Sequence, residues 1–350
     1  MIPKNKNISI LHPSITAKWG AVKMMIYLSN LLQNEWNNVT FYTFSYDKKL
    51  FSNEINFNIE CSNKIWIAYK IRKSDFVIIW NSPMQFVWAI SKMLFFSNAK
   101  IIRWHHHYPW YYGENTNFLI LIKRYLEKLS LKYVDELVAN SDYIKDSLKN
   151  IYFLSSKVLY PIVDNQFIRD ATIKKKIDKP IIFTYGRWVQ WKNIKQIFET
   201  YQYLKNKIPN LELIIWWVGE ELGFYERKFK TDKKISFLWL LDTNSIISNL
   251  GKSSIFLFPS LIDSFWMVVL EAQVFWVPVI AFDKNWTKEI IINEKTGFLV
   301  KTSKEFNEKT FLLLNDFELI NNFSKNSILL SDKFSETNFK KQLNSIFINQ

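Results

Sequence analysis

Residues 255–300 read IFLFPSLIDSFWMVVLEAQVFWVPVIAFDKNWTKEIIINEKTGFLV, and the spacing of the apolar runs in this stretch leaves few ways to fold. Residues 255–258 form an unbroken apolar run of strand length that stops at Pro259 and Ser260, and residues 277–282 form a second. Strands covered on both faces read this way, and two of them joined by a helix make a right-handed strand, helix, strand unit. The helix lies between them, with residues 267–274 as its interior and Glu271 inside it. Asp263 stands eight positions before Glu271, in the loop leaving the first strand. Two carboxylates are thus delivered to the carboxyl edge of a sheet, where open α/β folds bind their ligands.

The rest of the chain repeats this alternation. Strands are expected at residues 8–11, 39–45, 76–79, 100–103, 136–139 and 158–159, and helices at 22–33, 64–73, 83–96, about 117–132 and 142–150. Asn140 and Ser141 cap the last of these helices. Residues 164–179, with a KKK run and little apolar periodicity, read as a linker. A second series then begins, with strands at 180–185, 211–215 and 235–238 and helices at 194–207 and 244–250, followed by the opening stretch and a helical tail. The expectation is an α/β protein of two Rossmann-like, doubly wound domains facing a cleft, residues 1–163 and 180–334, with a helix near 335–350 returning to the first.

A length of 350 residues is ample for two cores, and 48% apolar with 22% charged residues is globular composition. The net charge of +14 comes from lysine, since only six of 46 basic residues are Arg. Together with the abundance of Asn, Ile and Phe, this reads as compositional drift and argues against nucleic acid. A basic face suited to anionic lipid or an acidic glycan remains. The single Cys61 excludes an intramolecular disulfide and a cysteine zinc cluster, and favours a reducing compartment. No apolar core of signal-peptide length precedes the first strand, and residues 76–96 are too interrupted to span a bilayer. The expected location is the cytoplasm, with contact at the inner membrane face.

Seven glycines against fifteen tryptophans do not fit such a fold, whose turns use positive φ and close backbone approach. The tryptophans stand where glycines belong: Trp19 before Gly20 after strand one, Trp36 behind the first helix, Trp216 and Trp217 at a strand end, and Trp266, Trp276 and Trp286 in the turns of the opening stretch. We therefore read several as glycines encoded by UGA and translated as Trp. A chain rich in Trp as written is the alternative.

Gly186, Arg187 and Lys192 follow the first strand of the second half. A glycine exit with two cations converging on a helix start outlines a diphosphate clamp, although a solvated basic turn has the same letters. Asp263 and Glu271 could equally be a surface acid and a helix acid; beside a cationic clamp, a carboxylate that accepts hydroxyl donors suits a sugar nucleotide. His105, His106 and His107 follow a strand end. Adjacent residues of an extended stretch point alternately and do not converge on one ion, so no metal site is expected.

The order GR(x4)K, LII(x3)GE and PS(x2)DSF(x5)EA(x5)PVIA(x5)TKEI(x5)TGFLV resembles the C-terminal half of family 4 glycosyltransferases (glycosyl transferases group 1), of GT-B fold. The last motif matches the family's E-x7-E signature with Asp263 in place of the first Glu. In the first half, WGA resembles the family's GGA loop, VANS its strand cap and YPIVD its linker segment. Reading Trp19, Trp239, Trp266, Trp276 and Trp286 as Gly restores a family glycine each time.

The resemblance implies that Glu271 holds the donor ribose, that Arg187 and Lys192 neutralise the diphosphate, and that Asp263 meets the transferred sugar. Backbone at Trp266, Met267 and Val268 would face the phosphates, with Trp19 and Gly20 covering them from the other domain. His107, favoured over His106 because HYP matches the family's H-aromatic-P form, would lie near the sugar. Arg103 and the YPWYY run would shape the acceptor entrance. The expected function is retaining, metal-independent transfer from a nucleoside-diphosphate sugar to a glycan or lipid-linked acceptor in cell-surface polysaccharide or glycolipid synthesis, with no further cofactor. A GT-B sugar-nucleotide epimerase and a non-catalytic basic binding protein of membrane or nucleic acid are the alternatives. An NAD-dependent Rossmann enzyme is disfavoured, because no G-x-G-x-x-G opens either first helix.

Overall fold

The computed structural model describes residues 2–16, 20–50, 54–80, 84–106, 118–163, 167, 179–187, 190–218, 222–238, 242–261, 267–284, 287–331 and 333–347. The chain divides into two compact units, Met1–Pro161 with Glu336–Gln350, and Ile162–Ser335.

In the first unit the order is β1 (Asn7–Leu11), β2 (Ser14–Ile15), α1 (Gly20–Asn34), β3 (Asn38–Thr43), β4 (Ser45–Tyr46), β5 (Asn58–Cys61), α2 (Lys64–Ile71), β6 (Phe76–Ile79) and α3 (Met84–Phe95). It continues with β7 (Lys100–His105), α4 (Phe118–Leu131), β8 (Glu136–Ala139), α5 (Asp142–Ser147) and β9 (Lys157–Val158). Seven strands form one parallel sheet in the order β5-β3-β1-β6-β7-β8-β9, while β2 pairs with β4 alone. The central strand β6 is apolar throughout, as expected of a strand covered on both faces. Val77, Ile79 and Ile101 pack with Ile67 and Ile71 of α2 and with Met84 and Val87 of α3. Their strand neighbours Ile78, Ile102 and Val138 point the other way and share a small apolar gap with Leu28 of α1.

One sequence expectation is corrected here, and one element appears that the sequence did not announce. The strand expected at 100–103 runs to His105, because Trp104 and His105 continue the ladder opposite Val138 and Ala139 and are buried. The polar segment at β5, which carries no apolar signal, forms an edge strand against β3 through the pairs Thr40 with Asn58 and Thr43 with Cys61.

In the second unit the order is β10 (Ile181–Arg187), α6 (Lys195–Leu204), β11 (Glu212–Val218), α7 (Leu222–Phe229), β12 (Ile235–Phe237), α8 (Thr243–Lys252), β13 (Ile255–Phe258) and α9 (Met267–Val274). Then come β14 (Val279–Phe282), β15 (Gly297–Val300), α10 (Ser303–Asn315) and α11 (Phe317–Ser331). The six strands are parallel, ordered β12-β11-β10-β13-β14-β15. Phe198 of α6 anchors the core by stacking on Tyr225 and Phe229 at 4.2 and 5.0 Å between ring centroids. At Gly297 an added Cβ would lie 2.1 Å from the Val279 carbonyl oxygen, so no larger residue fits the β14–β15 pairing as it stands. Phe167, inside the segment 164–179, is fully buried and lies edge-on to Phe275 at 6.5 Å.

The last helix, α12 (Glu336–Phe347), belongs to the first unit. It covers the sheet face shared with α1: Phe347 meets Phe76 edge-on at 5.2 Å and Phe339 meets Tyr27 at 5.6 Å. Polar ties hold its end, with Lys157 Nζ donating to the Ser345 carbonyl at 2.8 Å and the Tyr160 N–H to Gln342 Oε1 at 3.0 Å.

Two helices end on tryptophan in the left-handed region. After α9, Trp276 has φ 60°; its N–H donates to the Gln273 carbonyl at 2.8 Å and the Val277 N–H to the Ala272 carbonyl at 2.9 Å. Those are the paired bonds of a Schellman cap, whose left-handed residue is ordinarily glycine. After α1, Trp36 has φ 65° and donates to the Gln33 carbonyl at 3.2 Å, with its side chain 76% exposed. Phe96 and Phe153 also carry positive φ, so the conformation by itself is not particular to Trp. A left-handed L-residue costs about 1–2 kcal/mol, and an exposed indole gains little from burial. Trp36→Gly should therefore raise unfolding stability by about 1 kcal/mol, read as a higher denaturant midpoint at unchanged slope.

Candidate active site

At the carboxyl edge of the second unit's sheet, β10 ends at Gly186 and Arg187, and a single 3-10 turn over Gln190–Lys192 leads towards α6. Gly186 is buried. Lys192 is only 5% exposed, with its ammonium 5.9 Å from the ring centroid of Phe258, the last residue of β13. The Leu261 N–H donates to the Trp191 carbonyl at 2.9 Å, which ties the loop after β13 to the turn after β10. A cation is thereby held low against the strand ends, and its alkyl stem covers apolar surface.

Glu271 sits in the fifth position of α9 and is 8% exposed. Its carboxylate accepts a short hydrogen bond from the Tyr185 hydroxyl. Tyr185, one residue before Gly186 in β10, is buried against Phe256 at 5.4 Å between ring centroids. Burial, with the Glu271 charge and hydrogen bond added, holds the phenol's pKa well above its usual range, so the hydroxyl remains a donor at neutral pH. A charge-assisted bond of this kind fixes one carboxylate oxygen at the β10 and β13 ends. Tyr185 is the residue at this sheet edge that sequence reading did not single out. In an apolar strand a tyrosine reads as packing, and the only available signal was that a buried hydroxyl needs a partner.

The structure brings Gly186, Lys192 and Glu271 to one sheet edge. Met267 and Val268, the first residues of α9, are half-buried there. The backbone of Arg187 ends β10; its side chain lies outside the described set. Asp263 and Trp266 fall within 262–266, outside the described residues, as do Trp19 and His107. Gly20 is the first residue of α1, in the other unit.

The first unit gathers a different set at the ends of its strands. His106 follows β7, stacked on Trp80 at 3.4 Å between ring centroids, with its Nδ1 3.3 Å from Asn140 Nδ2. His105 is fully buried within β7, which separates the two histidines onto opposite faces. His12, after β1, is buried with Nδ1 2.7 Å from the Ser14 carbonyl oxygen, and burial lowers its pKa to about 4 against the partial compensation of that bond. Arg103 is 1% exposed and its guanidinium has no hydrogen-bond partner among the described residues. Burial lowers its pKa to about 10, opposed by the charge of Glu127. Its burial in the strand removes it from the acceptor-facing surface expected for it.

Comparison with known proteins decides what kind of enzyme carries these edges. The family model for glycosyl transferases group 1 matches residues 165–329. The chain is a glycosyltransferase, and that segment resembles the group 1 glycosyltransferase domain. An uncharacterized glycosyltransferase of Haemophilus influenzae is 24% identical over 349 residues, covering 94% of this chain and 96% of that protein. The N,N'-diacetylbacillosaminyl-diphospho-undecaprenol alpha-1,3-N-acetylgalactosaminyltransferase of Campylobacter jejuni is 24% identical over 234 residues, 61% of this chain and 60% of that protein. The structure of Anabaena HepE in complex with UDP-glucose superposes with a TM-score of 0.82 at 15% identity, over 99% of this chain and 100% of that one. The glycosyltransferase therefore has the GT-B fold, two Rossmann-like α/β units with parallel sheets.

Two outcomes follow for this enzyme. Tyr185→Phe leaves the buried Glu271 carboxylate one donor short, and should cost about 1.5–3 kcal/mol of stability in chemical denaturation. His12 binds its proton in the unfolded chain near pH 6.5 and in the folded one only near pH 4, so the unfolded state takes up more protons on acidification. Stability is full above pH 6.5 and should fall by about 3 kcal/mol on going down to pH 4, and His12→Asn should flatten that part of the pH profile of the urea midpoint.

Proposed function

We propose that this glycosyltransferase is a retaining member of family 4 that moves a sugar from a nucleoside-diphosphate sugar to a glycan or lipid-linked acceptor in cell-surface polysaccharide or glycolipid synthesis. The observation that carries the reading is Glu271, a buried carboxylate held in one orientation by Tyr185 beside the buried cation of Lys192. Glu271 accepts hydrogen bonds from the ribose hydroxyls. Arg187 and Lys192 neutralise the diphosphate, together with the backbone amides of Met267 and Val268 at the start of α9. Asp263, an Asp where the family has Glu, meets the transferred sugar. His107 contacts the sugar on the acceptor side. The Campylobacter relative, whose name specifies a diphospho-undecaprenol acceptor, and HepE, solved with UDP-glucose, support this class of substrates.

The chemistry needs little more than charge. The acceptor oxygen bonds to the anomeric carbon as the bond from that carbon to the diphosphate oxygen breaks, on the same face, and the acceptor proton passes to the departing diphosphate. Positive groups that meet the leaving charge in a dry setting lower this barrier by electrostatic preorganisation. No carboxylate pair is assigned as nucleophile, unlike retaining hydrolases.

A second reading concerns the letters of the sequence. The Schellman cap on Trp276 and the exposed left-handed Trp36 support glycine at these positions in the natural protein, encoded by UGA. Trp19, Trp239, Trp266 and Trp286 belong to the same set. Gene sequencing with peptide masses of the native protein tests it, and UGG codons at 266, 276 and 286 would end it.

The decisive enzymology uses protein made with glycine at those positions and a panel of sugar nucleotides screened by thermal shift. Lys192→Ala and Arg187→Ala should each abolish transfer and weaken nucleotide binding at least tenfold, about 1.4 kcal/mol. Near-normal turnover in either would overturn the clamp. Anomeric retention is read by NMR of the product, and conversion of the donor without acceptor would favour an epimerase.

A further inference from the structure

The helix that carries Glu271 is buried on every side. Residues 269–274 of α9 all lie out of solvent, so no boundary between an apolar and a wet stripe sets the rotation of the helix about its axis. That rotation decides where the Glu271 carboxylate lies at the sheet edge, and the contacts on the two sides of the helix must fix it. On one side the Gln273 amide donates to the Thr296 hydroxyl at 2.9 Å and to the Thr296 carbonyl at 3.3 Å, and the same hydroxyl accepts from the Ile292 N–H at 3.0 Å. Behind the helix, the Ser324 hydroxyl donates to the Trp276 carbonyl at 2.6 Å.

The other side is the one that bears Glu271. Phe275 stands four residues on, one turn away on that same side, and its N–H donates to the Glu271 carbonyl at 3.1 Å. The Phe275 ring lies against α8, where a Cβ added to Gly251 would come 3.8 Å from its Cε1, and it meets Phe167 edge-on at 6.5 Å. Phe167 comes from the segment 164–179, whose lysines and poor periodicity read as a linker, yet it is among the largest fully buried side chains described. An aromatic side chain from such a segment has no strand of its own to cover; the partner it finds is the residue one turn beyond Glu271. A hydrogen-bonded amide on one side and an edge-on aromatic pair on the other hold a helix in one orientation, because a close-packed interior yields only by repacking.

We propose that Phe167 is a positioning residue for the donor site: through Phe275 it sets the rotation of α9 and holds the Glu271 carboxylate where it meets the ribose hydroxyls. Tyr185 fixes the carboxylate itself, and Phe167 fixes the helix from which it projects. The segment that enters the second unit thereby takes part in donor affinity through Glu271. The proposal rests on the reading of Glu271 as the group that holds the ribose.

The test is isothermal titration calorimetry of the full chain, made with glycine at the suspect positions, against UDP, GDP and ADP, and against the 2′,3′-dideoxy form of whichever binds most tightly. The parent should bind the ribonucleotide about tenfold more tightly than the dideoxy form, because only the first offers hydroxyls to Glu271. Phe167→Ala should weaken the ribonucleotide about tenfold and leave the dideoxy form within about twofold, at unchanged stoichiometry. Phe167→Leu keeps most of the buried volume and should weaken the ribonucleotide about threefold, which decides the matter should the alanine variant not fold. A merely structural role would lower the stoichiometry with both affinities unaltered, or weaken the two nucleotides equally. Either result overturns the positioning role while the ribose reading stands. A parent that binds the two forms equally, or binds none of the three nucleotides, overturns the ribose reading and the positioning role together.

Discussion

The two large parallel sheets of this enzyme must be covered on both faces, because their central strands bury side chains on both. That single requirement sets the alternation of helix and strand, and with right-handed crossovers it sends all strand ends of a unit to one edge. Phe198 stacked on Tyr225 and Phe229 closes one such face, and α12 returning from the far end of the chain closes another with Phe339 and Phe347. The polar groups that remain are then concentrated where the strands stop.

At those edges, charge is buried rather than displayed. Glu271 is held by the Tyr185 hydroxyl, and Lys192 lies low over Phe258, so both are oriented before any ligand arrives. Arg103 is the contrasting case, a guanidinium kept in the interior near Glu127 with its nitrogens unsatisfied by hydrogen bonds among the described residues. A group held this way is costly to the fold, and its place in the strand beneath the His106 and Asn140 ends makes it part of the first unit's interior rather than of its surface.

Much of the second unit was legible in the letters. The apolar runs at β13 and β14 and the interior of α9 stand where periodicity put them, since a short strand buried on both faces leaves an unambiguous run. The first unit was less legible. The edge strand β5 has no apolar signature, and β7 runs two residues past its apolar core because Trp104 and His105 also pair and bury. Lys192 and Glu271 were singled out from motif spacing and lie at one sheet edge, whereas Tyr185, which holds Glu271, was hidden by lying within an apolar strand.

By itself the sequence determined the fold class, the order of elements and the identity of the charged groups, because periodicity, strand length and motif spacing are local properties of the chain. It also displayed the shortage of glycine that the left-handed caps at Trp36 and Trp276 make physical. Only the tertiary structure decided which side chain holds Glu271 and how deeply Lys192 is buried. Those facts depend on contacts between residues far apart in the chain.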